Sequence, residues 1–393
     1  MCPRFESRWY HSKGRTLVWP FSLLNFGLQT LPVNSSLPSW LLVLRNADPD
    51  RVLWVHEEAC SQDLLREYFL NLENAVACPV IQVPMRGGER LKTWDAVNEL
   101  LRLFQGHGLT RSSVVVTTGG GAMSDALGFA ASIWKRGMRT LHVPTTPLAA
   151  VDAAWGGKTG INWGGSKNQV GTFAEPLAVH IDARWMQTLG ERDFHAGLAE
   201  AAKHALLDAT AMHSFQAPLP AWPCAGVEEH NAWTSWLEAS AGVKKRIVEL
   251  DPHEHGVRTT LNLGHTVAHA LEASTATTQC AWLHGEAVAL GLHFALHEAL
   301  NPVLGGGDAM SAKDTEHAQW MGQWLKEWIP LPEGPWPDAA SLWTFMTEDK
   351  KNVGNEVRDM AWRGVGKVVG PVSWKRDTFE ATWETFVRSW NDS

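Results

Sequence analysis

Two histidines and a glutamate, each on or beside a glycine-bounded stretch with helical spacing, could together hold a divalent metal in the second half of this chain. Glu200 and Lys203 lie three apart in GLAEAAKH, on one helical face. His265 and His269 lie four apart in LNLGHTVAHALE, and His284 and Glu286 sit in LHGEAV at the start of a third helical stretch. Three protein ligands would leave positions open for substrate, the pattern of a catalytic zinc site. Spacing leaves open whether His265 pairs with His269 or with His284, and with 17 histidines in the chain a lone one is uninformative. No HExxH occurs, so a metalloprotease reading has no support.

The first half carries a second constellation, suited to phosphate. Residues 113–118 (SVVVTT) form a short β-branched run, Gly119, Gly120 and Gly121 follow, and apolar residues recur at helical spacing over 125–134. A strand, a glycine turn and a helix let backbone N–H groups and the helix dipole approach a pyrophosphate. The spacing differs from GxGxxG, and a GGG turn is by itself often a plain tight loop. Asp152 and Lys158 in VDAAWGGKTGIN, and Lys167 and Asn168 in GGSKNQVGTF, follow in glycine-rich segments of the kind that wrap around ligands. A lysine beside glycine is a point charge with little steric cover, suited to phosphate or carboxylate; as an isolated feature it is equally a solvated surface residue.

These residues need elements to position them. Strand-like and helical runs alternate through the first half: 51–56, then a helix to 72; 80–83, then a helix over 93–104; the glycine unit; then 140–143. That alternation predicts βαβ units and a largely parallel sheet. Beyond residue 182 helical patterns dominate, at 197–207, 233–250, 266–273 and 285–299. The expected division is an α/β Rossmann-like nucleotide-binding domain at 1–181 and an all-α metal- and substrate-binding domain at 182–393. Of 393 residues 45% are hydrophobic and 19% charged, ordinary for a globular protein, and the formal net charge is −8 with no basic block. Nucleic acid and anionic membrane are therefore not expected partners. No apolar run is long enough to span a bilayer and the N-terminus lacks a signal-peptide core, so a cytoplasmic location is expected. Five scattered cysteines never in CxxC spacing argue for reduced thiols, and 22 tryptophans against 2 tyrosines are read as a bias in aromatic usage.

From about residue 80 to 370 the chain resembles the 3-dehydroquinate synthases, sugar phosphate cyclases of the shikimate pathway. The resemblance rests on GGGAMSD, RGMRTLHVPTTPLAAVDAAWGGKTGIN, GGSKNQVGTF, GLAEAAKH, the run from Lys244 through LNLGHTVAHALEA, LHGEAVALG and DKKN, in that order. It implies NAD and a metal, Zn2+ with Co2+ able to substitute, held by Glu200, His265 and His284. It implies nucleotide contacts from Glu89, Lys92, Gly120, Gly121, Asp125, Thr145, Thr146, Lys158, Lys167, Thr188 and Leu189. Around the substrate it implies Asp152, Lys158, Lys167, Asn168, Lys203, Lys244, Arg258, Asn262, His269 and one of Lys350 or Lys351. An arginine matching Arg136 reaches across a dimer interface in this family, so a homodimer is implied. The chain departs from the family at His204, where tyrosine is usual, and at Ala268, where glycine is usual. His56 and Glu57 end the early strand where a ribose contact is looked for.

The implied substrate is 3-deoxy-D-arabino-heptulosonate 7-phosphate, with a carboxylate at one end and a phosphate at the other. The implied reaction is transient oxidation by NAD, elimination of phosphate, return of the hydride and closure by an internal aldol step to 3-dehydroquinate. Three alternatives stand beside it. They are a related cyclase acting on sedoheptulose 7-phosphate or glucose 6-phosphate, a metal-dependent polyol dehydrogenase, and a non-catalytic cyclase-like binding protein.

Overall fold

The computed structural model describes residues 37–276, 281–304, 310–332, 336–348 and 356–391; Lys350 and Lys351 lie outside the described residues. After a short helix α1 (Ser39–Asn46), strand and helix alternate as β1 (Val52–Glu57), α2 (Gln62–Ala75), β2 (Val80–Met85), α3 (Trp94–Gly106), β3 (Val114–Gly119), α4 (Gly121–Ile133) and β4 (Arg139–Pro144). The four strands form one parallel sheet in the order β2-β1-β3-β4. Every residue of β3 is buried, as expected of a central parallel strand covered on both faces, and this is why its sequence is a continuous apolar run. The chain steps outward from β1 to β2 and then returns to β3 on the other side of β1. The order of strands therefore reverses between β1 and β3, the switch point at whose carboxyl ends open parallel sheets bind ligands, and Glu57 and the glycine turn lie there.

The two glycine-rich lysine segments are not loops. They pair as an antiparallel hairpin, β5 (Lys158–Trp163) and β6 (Ser166–Phe173), with Gly160 opposite Gly171. A Cβ on Gly171 would lie 2.1 Å from the Thr159 carbonyl, so the two backbones approach as only glycine allows. The sequence reading missed the hairpin because the glycines mask the strand signal.

The second half packs α5 (Glu191–Gly197), α6 (Ala199–Leu207), α7 (Ala209–Phe215), α8 (Val227–Leu250), α9 (His265–Thr275), α10 (His284–Leu300), α11 (Ala312–Trp328), α12 (Ala339–Thr347) and the last helix α13 (Arg376–Asn391) around a second apolar core. One element was not expected in this helical part, the antiparallel hairpin β7 (Val357–Gly364) and β8 (Lys367–Trp374). Trp362 of β7 is fully buried and donates its indole N–H to the Leu206 carbonyl (3.1 Å), which anchors the hairpin on α6. Tryptophan serves this core repeatedly. Trp185 and Trp233 are fully buried, and Trp336, Trp383 and Trp390 cluster with Phe386. Cys60, Cys78 and Cys224 carry free thiols. Among the described residues, no helix is long and apolar enough to cross a membrane.

Candidate active site

Glu200 on α6, His265 at the start of α9 and His284 at the start of α10 converge, with ligand atoms within 4.8 Å of one another. Backbone packing brings these helices together. Gly264, with φ of +76°, turns the chain into α9, and a Cβ on Gly291 of α10 would lie 2.0 Å from the Gly264 carbonyl. A Cβ on Gly285 would lie 1.7 Å from the Ala196 carbonyl, so α10 begins hard against the end of α5. Ala268 is fully buried within the first turns of α9 and its N–H reaches the Gly264 carbonyl (3.1 Å), so its extra methyl fits a regular helix.

The donor set suits a divalent metal. The Nδ1 of His265 lies 3.1 Å from the Leu263 carbonyl and that of His284 lies 3.0 Å from Glu272 Oε2. Both partners can only accept, so each ring donates through Nδ1 and leaves Nε2 as the nitrogen turned to Glu200. Both Nε2 atoms face Glu200 Oε1, at 3.2 and 3.3 Å. Burial works against charge on Glu200, but Lys203 and the two imidazoles keep it ionised, well below the usual carboxylate range. Glu272 is likewise held down to about 2, against burial, by His284 and Lys167. His269 stands edge-on to His265, with ring centroids 5.6 Å apart, on the same face of α9. Glu286 is turned away to cap α10 at Leu283 and to pair with Arg192.

Next to this triad lies a buried charge network. Lys203, fully buried, contacts Glu200 Oε2 and lies 3.9 Å from Asp152 Oδ1; Lys244 lies 2.7 Å from the same oxygen and donates to the Asp152 carbonyl (2.7 Å). Asp152 stays below its ordinary range because these lysines outweigh burial and the repulsion of Glu200. His204, one residue on, is fully buried, and burial together with the Lys203 charge pushes it down to about 3. Asp152, Glu200 and His204 also bring ligand atoms within 4.8 Å, but two ammonium groups already stand against their carboxylates, so this set does not suit a second cation.

The remaining cations are held by backbone or carboxylate. Arg258 is buried and donates to the carbonyls of Pro252 (2.7 Å) and Gly156 (3.1 Å). Lys158, half exposed, meets Glu254, which also accepts from Asn262 (3.1 Å). Lys167 on β6 reaches Glu272 of α9 at 2.9 Å.

On the sheet side, Gly120 N donates to Glu57 Oε1 (3.0 Å), the carboxylate at the end of β1. Thr146 lies against Gly120, and the N–H of buried Thr145 reaches the Gly119 carbonyl (3.1 Å). Lys92 is buried between Asp125 (2.5 Å) and Asn168, and Glu89 accepts from Asn162 (2.7 Å). Asp125 and Lys158 line one small cavity. Thr188 is exposed and Leu189 packs on the helical core, and among the described residues no hydrogen bond links either to the glycine turn. Arg136 is exposed, with φ of +66°, and takes no part in the network of its own chain.

Residues 82–196 match the family model for the 3-dehydroquinate synthase N-terminal region, and residues 197–352 the C-terminal one. The 3-dehydroquinate synthase of Parabacteroides distasonis is 36% identical over 72% of this chain and 77% of its own length. That of a Synechococcus strain is 37% identical over 88% and 87%. The chain belongs to the 3-dehydroquinate synthase family. Among solved structures, 2-deoxy-scyllo-inosose synthase with carbaglucose-6-phosphate, NAD+ and Co2+ shares the fold, with TM-score 0.68 and 23% identity over 88% of this chain and 94% of that one. So does the 2-epi-5-epi-valiolone synthase of Streptomyces hygroscopicus with NAD+ and Zn2+, with TM-score 0.68 and 21% identity over 90% and 95%.

Glu254 and Glu272 were not among the expected site residues of this family member. A helical-face signal did exist for Glu272, which follows His265 by seven and His269 by three. For Glu254 no local signal exists, since its partner Lys158 is 96 residues away.

Proposed function

We propose that the protein is a 3-dehydroquinate synthase, a carbon–oxygen lyase that converts 3-deoxy-D-arabino-heptulosonate 7-phosphate into 3-dehydroquinate and phosphate. Family membership supports this reading. The observation that carries it is the sharing of Glu200 between a metal-type triad and the buried Lys203, Lys244 and Asp152 network. A polyol dehydrogenase would need the triad but not so many cations for anions.

In this reading Glu200, His265 and His284 would hold Zn2+, with Co2+ able to substitute. The turn at Gly119, Gly120 and Gly121, with Glu89, Lys92, Asp125, Thr145, Thr146, Thr188 and Leu189, would hold NAD. The division at residue 181 then separates nucleotide binding from metal and substrate binding, with Asp152, Lys158, Lys167 and Asn168 reaching across it. When bound, the metal supplies a Lewis acid for a substrate hydroxyl and the nucleotide a reversible hydride acceptor. Lys158, Lys203, Lys244 and Arg258 offset the negative charge that gathers as phosphate leaves, and their fixed positions keep the reorganisation cost low. His269, beside His265, suits proton transfer to or from a substrate oxygen. Asn168, Asn262 and Lys167 orient the chain of hydroxyls so that ring closure follows from confinement. Arg136 extends to a partner copy's phosphate site, giving a homodimer in the cytoplasm.

The test is phosphate release from the heptulosonate phosphate in the presence of NAD and Zn2+. A kcat/KM for sedoheptulose 7-phosphate equal to or above that for the heptulosonate would overturn the assignment in favour of another cyclase. Sedoheptulose 7-phosphate lacks the carboxylate and should be poorer by roughly 10⁴-fold, the discrimination typical when buried polar groups lose their partner.

A further inference from the structure

Glu272 lies in the middle of α9, one turn beyond His269, and its side chain is 13% exposed. Its two oxygens have separate tasks. Oε2 accepts from His284 Nδ1 at 3.0 Å, and Oε1 accepts from Lys167 Nζ of the β5–β6 hairpin at 2.9 Å. Because a carboxylate flanked by an ammonium can only accept from the ring, the imidazole of His284 donates to it through Nδ1, and this sets the ring so that Nε2 is the nitrogen turned to Glu200. His265 achieves the same through a backbone carbonyl, which cannot be lost by substitution at one side chain. Among the described residues, the Nδ1 of His284, whose side chain is 30% exposed at the opening of α10, meets Glu272 and no backbone carbonyl.

We propose that Glu272 is a positioning residue for the metal centre: it sets the tautomer and ring orientation of His284, and Lys167 steadies its second oxygen, tying the hairpin to the centre. This rests on the metal reading of Glu200, His265 and His284 given above. Carboxylates in this position tune metal affinity by 10- to 100-fold in other sites. Lys167 is 64% exposed, so its share is small.

The experiment is a titration of the metal-free full chain with Co2+ alone, followed by the visible d–d bands of the bound ion and by competition with a chelating indicator. Glu272→Gln and Glu272→Ala should each weaken Co2+ binding by roughly 10- to 100-fold, the alanine variant more, and should alter the d–d spectrum. Lys167→Met should weaken it by less than about threefold. Parent-like affinity and spectrum in both Glu272 variants would overturn the proposal while leaving the metal reading intact. A loss in Lys167→Met equal to that in Glu272→Gln would also overturn it, by moving the ordering role to the lysine. If the parent chain bound no Co2+, or if His284→Ala bound it as tightly as the parent, the metal reading itself would fall. Should Glu272→Ala not fold, Glu272→Gln, which keeps the side-chain volume, decides.

Discussion

Lys203→Met probes the charge balance at the centre of the site. The network contains two carboxylates, Asp152 and Glu200, and two ammonium groups, Lys203 and Lys244, so the buried set is neutral as it stands. Methionine keeps the length and most of the volume of the side chain but removes the charge, leaving a net −1 around a fully buried Glu200. Breaking a buried pair by removing one partner costs about 3–5 kcal/mol. An attraction across the 3.9 Å from Lys203 to Asp152 is itself about 4 kcal/mol at an effective dielectric of about 20. Metal-free Lys203→Met should therefore melt roughly 4–6 °C below the parent for a chain of this length. Saturating Zn2+ should close at least half of that gap, because a dication on Glu200 supplies the missing counter-charge. Scanning calorimetry of both proteins, with chelator and with Zn2+, reads all four values. A metal-free loss below about 1 kcal/mol, or a gap that Zn2+ leaves unchanged, would refute the charge-balance reasoning.

Lys158 is a different case. It is half exposed, so Lys158→Ala should leave stability within about 0.5 kcal/mol of the parent. It should lower kcat/KM by roughly 100-fold, about 3 kcal/mol of transition-state stabilisation, and near-normal turnover would place it outside the chemistry. NAD should be required but not consumed, so absorbance at the NADH band should stay flat while phosphate accumulates; stoichiometric NADH would favour a dehydrogenase. Burial holds His142 neutral, down at about 4 against 6.5 when unfolded. The unfolded chain thus binds the extra proton, and the contribution of this group is fully present above 6.5 and lost as pH falls towards 4, at about 1.4 kcal/mol per unit. His142→Asn should remove about one proton from the slope of stability between those values, and an unchanged slope would contradict the assignment.

The hairpins show where sequence patterning fails. In β5 and β6 the glycines that permit close backbone approach also erase the β-propensity signal. In β7 almost every residue is buried, including Asp359 and Arg363, so no alternation of polar and apolar residues marks the strand. Polar residues are tolerated there because they are satisfied at a distance: Arg363 pairs with Glu298 of α10 at 2.6 Å, 65 residues away. Propensity describes a local preference, and such partners exist only after folding.

What the sequence determined by itself was whatever is local or ordered along the chain. The parallel sheet was legible from its alternation of runs, the glycine turn from β3 into α4 from its residues, and the family from motif order. Spacing could not choose between His269 and His284 as the second imidazole, since helical periodicity relates residues only within one helix. The choice was made where the Gly264 carbonyl meets Gly291 and α10 begins against Ala196, contacts that carry His284 Nε2 to Glu200. The pairing of each cation was likewise a tertiary outcome. Lys167 finds Glu272 across 105 residues and Lys158 finds Glu254 across 96, because each part-buried carboxylate takes the nearest ammonium group that the fold supplies.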